Sequence, residues 1–213
     1  MNLPNKITIV RICMIPVFAL TFFLENVTFH YGISAIIFLI AALTDALDGY
    51  IARKYKLITN LGRFLDPIAD KVLVAVAMIL ILTVKEELFS HFGELKDLIY
   101  IVTTISACVI LARELIISAF RQIAASNGVI LAAEKLGKYK TVVQDAALFV
   151  LLFVADLSGA FGIVCAWIGF GLFMAATILT VWSGLSYICT YKQVLQDENK
   201  TTADNPQEGI SAK

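Results

Sequence analysis

The chain carries little charge for its length. Of its 213 residues, 16% are Asp, Glu, Lys or Arg, against about 25% in an ordinary soluble domain. Hydrophobic residues make up 59%, and the mean hydropathy is +0.83. That balance excludes a conventional water-facing surface over most of the protein. The charges also cancel, 17 basic against 17 acidic, so no basic excess argues for a nucleic-acid partner. Cysteine is scarce and unpatterned. Cys13, Cys108, Cys165 and Cys189 all fall in apolar stretches without ligand-like spacing, which argues against a zinc site or disulfide framework and for small buried apolar side chains. The apolar run from Ile12 to Leu24 is not followed by an A-x-A-like cleavage site, so it is read as a retained span rather than a signal peptide. No low-complexity tract, internal repeat or soluble domain is evident.

What is present is a series of long apolar runs. Six stretches, about 7–26, 31–52, 63–84, 97–121, 138–157 and 162–189, approach the roughly 20 residues that a bilayer-spanning helix needs. The expected fold is therefore an all-α integral membrane protein with six transmembrane helices. The connecting segments alternate in basic content. The first, "ENVTFHY", has no Lys or Arg, whereas the second contains Arg53, Lys54, Lys56 and Arg63. The third sets Lys85 and Lys96 among Glu86, Glu87 and Glu94; the fourth brings Arg121, Lys135, Lys138 and Lys140; the fifth, from Asp156 to Phe161, has no basic residue. By the positive-inside rule both termini and the second and fourth loops face the cytosol. Residues 1–195 are expected to form one transmembrane domain, and residues 196–213 ("QDENKTTADNPQEGISAK") a disordered polar cytosolic tail.

One stretch breaks the apolar pattern: "DALDGYIARKYKLITNLGRFLDPIAD", Asp45 to Asp70. Asp45 and Asp48 are three apart, Asp66 and Asp70 four apart, and on helices each pair shares a face. Ionised carboxylates beneath a lipid surface are expensive unless they meet a cation, a partner or a polar cavity. Four of them from two helices form a hard-oxygen donor set suited to Mg²⁺ or Mn²⁺, with charge enough for two ions. Such ions usually bridge phosphates. Gly49 lies mid-helix, where glycine costs about 1 kcal/mol relative to alanine; Gly49, Ala52 and Gly62 leave room beside the carboxylates. Bland readings compete: Asp66 before Pro67 fits an N-cap, and Asp45 and Asp48 are within reach of pairing with Lys71 or Arg113.

The same residues carry a resemblance. The stretch is similar to the signature of the CDP-alcohol phosphatidyltransferases, D-x2-D-G-x2-A-R-x8-G-x3-D-x3-D, with Asp45, Asp48, Gly49, Ala52, Arg53, Gly62, Asp66 and Asp70 at its eight fixed positions. The resemblance implies that two divalent ions, Mg²⁺ or Mn²⁺, are held by Asp45, Asp48, Asp66 and Asp70 and bind the diphosphate of a CDP-linked lipid. It implies that Asp70 also acts as general base on an acceptor alcohol, with Gly49, Ala52, Arg53 and Gly62 lining the nucleotide site. It further implies a metal-lined polar cavity open to the cytosol, and a homodimer in the bacterial plasma membrane.

The second half narrows the acceptor. "LARELIISAFRQIAASNGVILAAEKLGKYKTVVQ" holds Arg113, Glu114, Arg121, Lys135, Lys138 and Lys140. A buried Arg113 offers the bidentate geometry that phosphate favours, although Glu114 or Asp145 could instead neutralise it. For Lys135 and Lys140 simple topology competes with a ligand role. The order R-E-x2-I-S-x2-R-x2-A-A, then G-K-x-K-T-x2-Q, resembles the branch of the family whose acceptor is glycerol 3-phosphate, so Arg113, Arg121, Lys138 and Lys140 are candidates for its phosphate. "NLPNKITIVRICMIP" resembles the same branch and adds Asn5 and Thr8 beside the nucleotide, with Arg11 near them, although Pro4 and Asn5 also simply start a helix. The implied partners are CDP-diacylglycerol, glycerol 3-phosphate and membrane lipid. Two alternatives stay open: a sister enzyme using phosphatidylglycerol or an inositol phosphate, and a cation transporter, since intramembrane carboxylates also mark ion pathways.

Overall fold

The computed structural model describes the backbone of residues 3–55, 60–126 and 135–190, and side chains within 7–44, 68–122 and 137–187 other than Lys138. These residues are mostly helical and contain no strand. The order is α1 (Leu3–Phe22), α2 (His30–Tyr55), α3 (Asn60–Thr83), a short α4 (Lys85–Phe89) running into a 3₁₀ turn (Ser90–Leu95), α5 (Lys96–Ser126), α6 (Lys135–Val154) and α7 (Gly159–Thr190). α6 packs most extensively on α7, α1 on α2 and α3, α2 on α6, and α5 on α7, with α2 and α3 also touching. The segments 56–59 and 127–134 and the expected tail, 196–213, lie outside the described residues.

The six long helices fall where the apolar runs predict them, but several are longer. α5 continues to Ser126, five residues past its apolar run, because "RQIAAS" has ample helix propensity although it is not apolar. The third connection is also not a plain loop. Leu88, Phe89 and Phe92 are buried there, and this apolar cluster folds the segment into α4 and its 3₁₀ turn.

The long helices share one design. On α1 the buried residues are Thr8, Arg11, Ile15, Phe18 and Phe22, while Ile9, Val10, Val17 and Leu20 point outward. α5 buries Ile99, Thr103, Ser106, Ile110 and Ile117; α6 buries Lys140, Gln144, Ala147, Leu151 and Val154; α7 buries Ala166, Phe173, Ala176, Thr180, Ser183 and Tyr187. These alternating steps of three and four mark helix faces turned to a common centre. The core is mainly apolar with some polar side chains drawn into it, while many large apolar ones stay exposed, unlike the surface of a soluble protein. Two stretches are long and apolar enough to cross a bilayer unaided, Lys85–Gln122 (38 residues, hydropathy 1.9) and Gly159–Tyr187 (29 residues, hydropathy 2.1), with shorter apolar helices at Ile7–Phe22 and His30–Thr44. Among the described residues the architecture is all helical, and its apolar exterior is that of a membrane protein.

This design corrects the reading of the cysteines. Cys13 and Cys108 are exposed, Cys165 is partly so, and all three are free thiols; the Cys189 side chain lies outside those described. In a bundle whose exterior is apolar, an apolar stretch does not imply burial.

One end of the bundle is closed by aromatic packing and by the α1–α2, α3–α5 and α6–α7 connections. Phe22 meets Tyr31 at 4.9 Å, Phe29 meets Phe153 at 5.2 Å, and Phe92 meets Trp167 at 5.1 Å between ring centroids. The Gly32 amide donates to Asp156 Oδ2 at 2.6 Å, and the ring nitrogens of His91 lie 3.0 Å from the carbonyl oxygens of Leu88 and Leu157. The two lysines of the third connection are both ion-paired, Lys85 with Asp97 at 2.8 Å and Lys96 with Glu86. Gly162 makes room for His91: a Cβ there would stand 2.7 Å from His91 Nε2 and 3.3 Å from the Leu157 carbonyl carbon. Gly162→Ala is therefore expected to destabilise the protein by about 1–3 kcal/mol, the usual cost of overpacking, seen as a lower thermal midpoint in detergent. An unchanged midpoint would mean that His91 swings aside freely.

Candidate functional site

At the opposite end the buried faces turn polar. α1 contributes Thr8 and Arg11, the latter 0% exposed. α6 contributes Lys140 and, one turn on, Gln144, which is 2% exposed and whose Oε1 has no hydrogen-bond partner among the described residues. The register of α2 and α3 leads to the same end. The buried positions Ser34, Phe38 and Ala41 step by four and three, and the same spacing continues through positions 45, 48 and 52. On α3, Leu73, Ala77 and Leu80 are buried, and the spacing runs back through positions 70 and 66. Asp66 lies inside α3, six residues after Asn60, so it does not cap this helix. The side chains of Asp45, Asp48, Gly49, Ala52, Arg53, Gly62 and Asp66 lie outside those described, as do those of Asn5 and Lys138. Asp70 is half-buried and engaged in interactions.

The described side chains form a cation cluster around one carboxylate. Arg113 Nη1 donates to Glu114 Oε1 at 3.1 Å, and its Nη2 donates to Ser183 Oγ on α7 at 2.9 Å. Ser183 Oγ in turn donates to the Thr180 carbonyl at 3.2 Å. Lys140 Nζ donates to the same Glu114 Oε1. Beside them Lys71, next to Asp70 in sequence, donates to Ser118 Oγ at 2.6 Å. Lys71 is also close enough to Glu114, Asp70, Arg121 and Lys140 to interact with each. Arg121 sits over the Tyr187 ring at 5.3 Å. Gly184 gives Arg113 its seat, because a Cβ there would lie 3.1 Å from Arg113 Cγ and 3.2 Å from Nε.

Of the two neutralising partners expected for Arg113, the ion pair formed is with Glu114. Lys140, with its side chain only 4% exposed, is not the solvent-facing charge that topology alone would require. Arg113, Lys140, Lys71 and Arg121 outnumber the carboxylates Glu114 and Asp70 beside them, which makes this corner a natural seat for an anion. Several residues here carry no motif position that assigns them a role. Ser118 and Gln144 stood within the R-E-x2-I-S and G-K-x-K-T-x2-Q patterns, which was signal enough to include them. Ser183 and Gly184 lie some 70 residues from Arg113 in sequence, and nothing in "VWSGLSY" singles them out.

Among the described residues no three His, Cys, Asp or Glu side chains converge as metal ligands would. The four-aspartate set is represented there by Asp70 alone. As a donor set it fits a hard divalent cation, since its members are carboxylates on two helices in contact.

A family model described as CDP-alcohol phosphatidyltransferase matches residues 1–186 of the chain. Curated proteins from Shigella flexneri serotype 5b (strain 8401) and Escherichia coli (strain K12), each named CDP-diacylglycerol–glycerol-3-phosphate 3-phosphatidyltransferase, are 39% identical to it over 199 residues. The match covers 92% of this chain and 98% of each relative.

Proposed function

The chain belongs to the CDP-alcohol phosphatidyltransferase family, and from that premise we propose that it transfers the phosphatidyl group of CDP-diacylglycerol to glycerol 3-phosphate. The products are phosphatidylglycerophosphate and CMP, an early step in making an anionic phospholipid. What supports this reading is that the register of the aspartate-bearing stretches of α2 and α3 leads to the end of the bundle that holds the Arg113–Glu114–Lys140 cluster, with Lys71, next to Asp70, beside that cluster. The stretches supply a donor set for a metal-bound diphosphate, the cluster a seat for the acceptor's own phosphate. The transporter reading falls with family membership.

In this scheme residues 1–195 form a six-span catalytic unit in the bacterial plasma membrane. Both termini, the polar tail and the mouth of the site face the cytosol, in keeping with the alternation of basic and non-basic loops. Asp45, Asp48, Asp66 and Asp70 hold two Mg²⁺ or Mn²⁺ ions, which when bound neutralise the diphosphate and stabilise the departing CMP. Gly49, Ala52, Arg53, Gly62, Asn5 and Thr8 line the nucleotide site. Arg113 and Lys140, with Arg121 and Lys138 nearby, bind the acceptor phosphate and aim its free hydroxyl at the lipid-side phosphorus. Asp70 takes the hydroxyl proton as the oxygen–phosphorus bond forms and the bond to CMP breaks. The lipid chains enter from the bilayer between helices, and glycerol 3-phosphate enters from the cytosol. A homodimer follows from family likeness.

The test is CMP release by the purified protein from CDP-diacylglycerol, offered glycerol 3-phosphate, phosphatidylglycerol or an inositol phosphate in turn. Release with glycerol 3-phosphate alone is expected; release only with another acceptor would make this a sister enzyme. Within the same assay, Arg113→Ala is expected to raise the glycerol 3-phosphate KM about ten- to hundredfold, the value of a charge-assisted contact, and to leave the CDP-diacylglycerol KM nearly unmoved. An unmoved acceptor KM in folded protein would make Arg113 an ion-pair partner only.

A further inference from the structure

Glu114 is the one carboxylate, among the described side chains, that accepts from two of the cations assigned to the acceptor phosphate. Arg113 from its own helix and Lys140 from α6 meet on the same oxygen, Oε1. Side-chain exposure is 18% for Arg113, 22% for Glu114 and 4% for Lys140. In such surroundings two cations brought together repel one another unless an anion joins them. Glu114 supplies that anion and ties α5 to α6 at the level of the site, while Ser183 holds the second arm of Arg113 to α7. The pair is not exhausted by this tie. Arg113 Nε has no hydrogen-bond partner among the described residues, and a lysine ammonium has three donors.

We propose that Glu114 is a positioning residue for acceptor recognition: it gathers Arg113 and Lys140 into one preformed seat for the phosphate of the acceptor, without touching the acceptor itself. The proposal rests on the phosphatidyl-transfer reading and adds a residue that acts through its neighbours. It gives a carboxylate a purpose inside a site built for an anion, where it would otherwise only repel the substrate. Preorganising the cations means that the acceptor's phosphate does not itself have to draw two flexible side chains together.

The experiment uses the full chain in detergent and follows CMP release by wild type, Glu114→Ala, Glu114→Gln and Glu114→Asp. Inorganic phosphate serves as a competitor that probes the seat alone. Glu114→Ala is expected to raise both the glycerol 3-phosphate KM and the phosphate inhibition constant about tenfold, the scale of one charge-assisted contact. The CDP-diacylglycerol KM should stay within about twofold, and Glu114→Asp should recover part of the loss because it keeps the charge. A purely structural role would move both substrates together or lower kcat alone, and either result overturns the proposal. So does tighter binding of phosphate in Glu114→Ala, which would make Glu114 a competitor of the substrate. If Glu114→Ala does not accumulate, Glu114→Gln decides, since it keeps the size but removes the negative charge that joins the two cations; an acceptor KM unchanged in that variant overturns the proposal. Failure of wild type to release CMP with glycerol 3-phosphate would instead overturn the function reading on which the proposal rests.

Discussion

Replacing Asp70 with Asn is expected to cut kcat by roughly 10²–10⁴, the usual share of general-base catalysis, with CDP-diacylglycerol still bound. Asp70 follows Asp66 by one helical turn, and position 70 continues the spacing of the α3 face that buries Leu73, Ala77 and Leu80. Its neighbour Lys71 reaches across to Ser118 on α5, the helix of Arg113. Asp70 thus stands between the proposed diphosphate site and the proposed acceptor seat, where a hydroxyl proton is released. Asparagine keeps the shape and one accepting oxygen but cannot take a proton. Asp45→Asn and Asp48→Asn should behave differently, weakening metal and nucleotide binding together. Kinetics paired with CDP-diacylglycerol binding separate the two patterns. Near-normal turnover in Asp70→Asn, or equal loss of nucleotide binding in all three variants, would remove the base from this position.

Chelation with EDTA is expected to abolish turnover altogether, and added Mg²⁺ or Mn²⁺ to restore it. In the proposed site the carboxylates of Asp45, Asp48, Asp66 and Asp70 would repel one another and a diphosphate. Divalent cations turn that arrangement from a barrier into a binding site. In the proposed scheme the cations of α5 and α6 do not take their place, because Arg113 and Lys140 serve the acceptor phosphate. CMP release measured across a chelator titration reads the effect directly. Full activity after exhaustive chelation would end the metal assignment.

The helices were legible because a bilayer demands long apolar runs, and such runs stand out in composition. Their ends were not, because hydropathy stops reporting where the chain leaves the lipid. α5 runs on past Arg121 to Ser126, and Arg121 lies over the Tyr187 ring of α7. The same bias hid α4, whose buried Leu88 and Phe89 sit among charges, and misread Cys13 and Cys108, which face outward. The spacing of the aspartates needs no knowledge of neighbours to assign each pair to one helix face, and α2 and α3 do run through these positions. The cation cluster was legible only in part. Arg113 and Lys140 drew attention as charges in apolar or inner segments, but their joint use of Glu114 depends on how α5 meets α6. Ser183 and Gly184 matter only because α7 crosses beside α5, a relation that no local pattern encodes.

The central claim is that one site joins a CDP-linked lipid to glycerol 3-phosphate. Its most direct test is to give purified protein CDP-diacylglycerol, Mg²⁺ and labelled glycerol 3-phosphate, and to quantify labelled lipid and free CMP together. The account predicts phosphatidylglycerophosphate and CMP in equal amounts, both lost when either substrate is omitted. Release of CMP without label in the lipid, or label entering lipid without CMP, would contradict it.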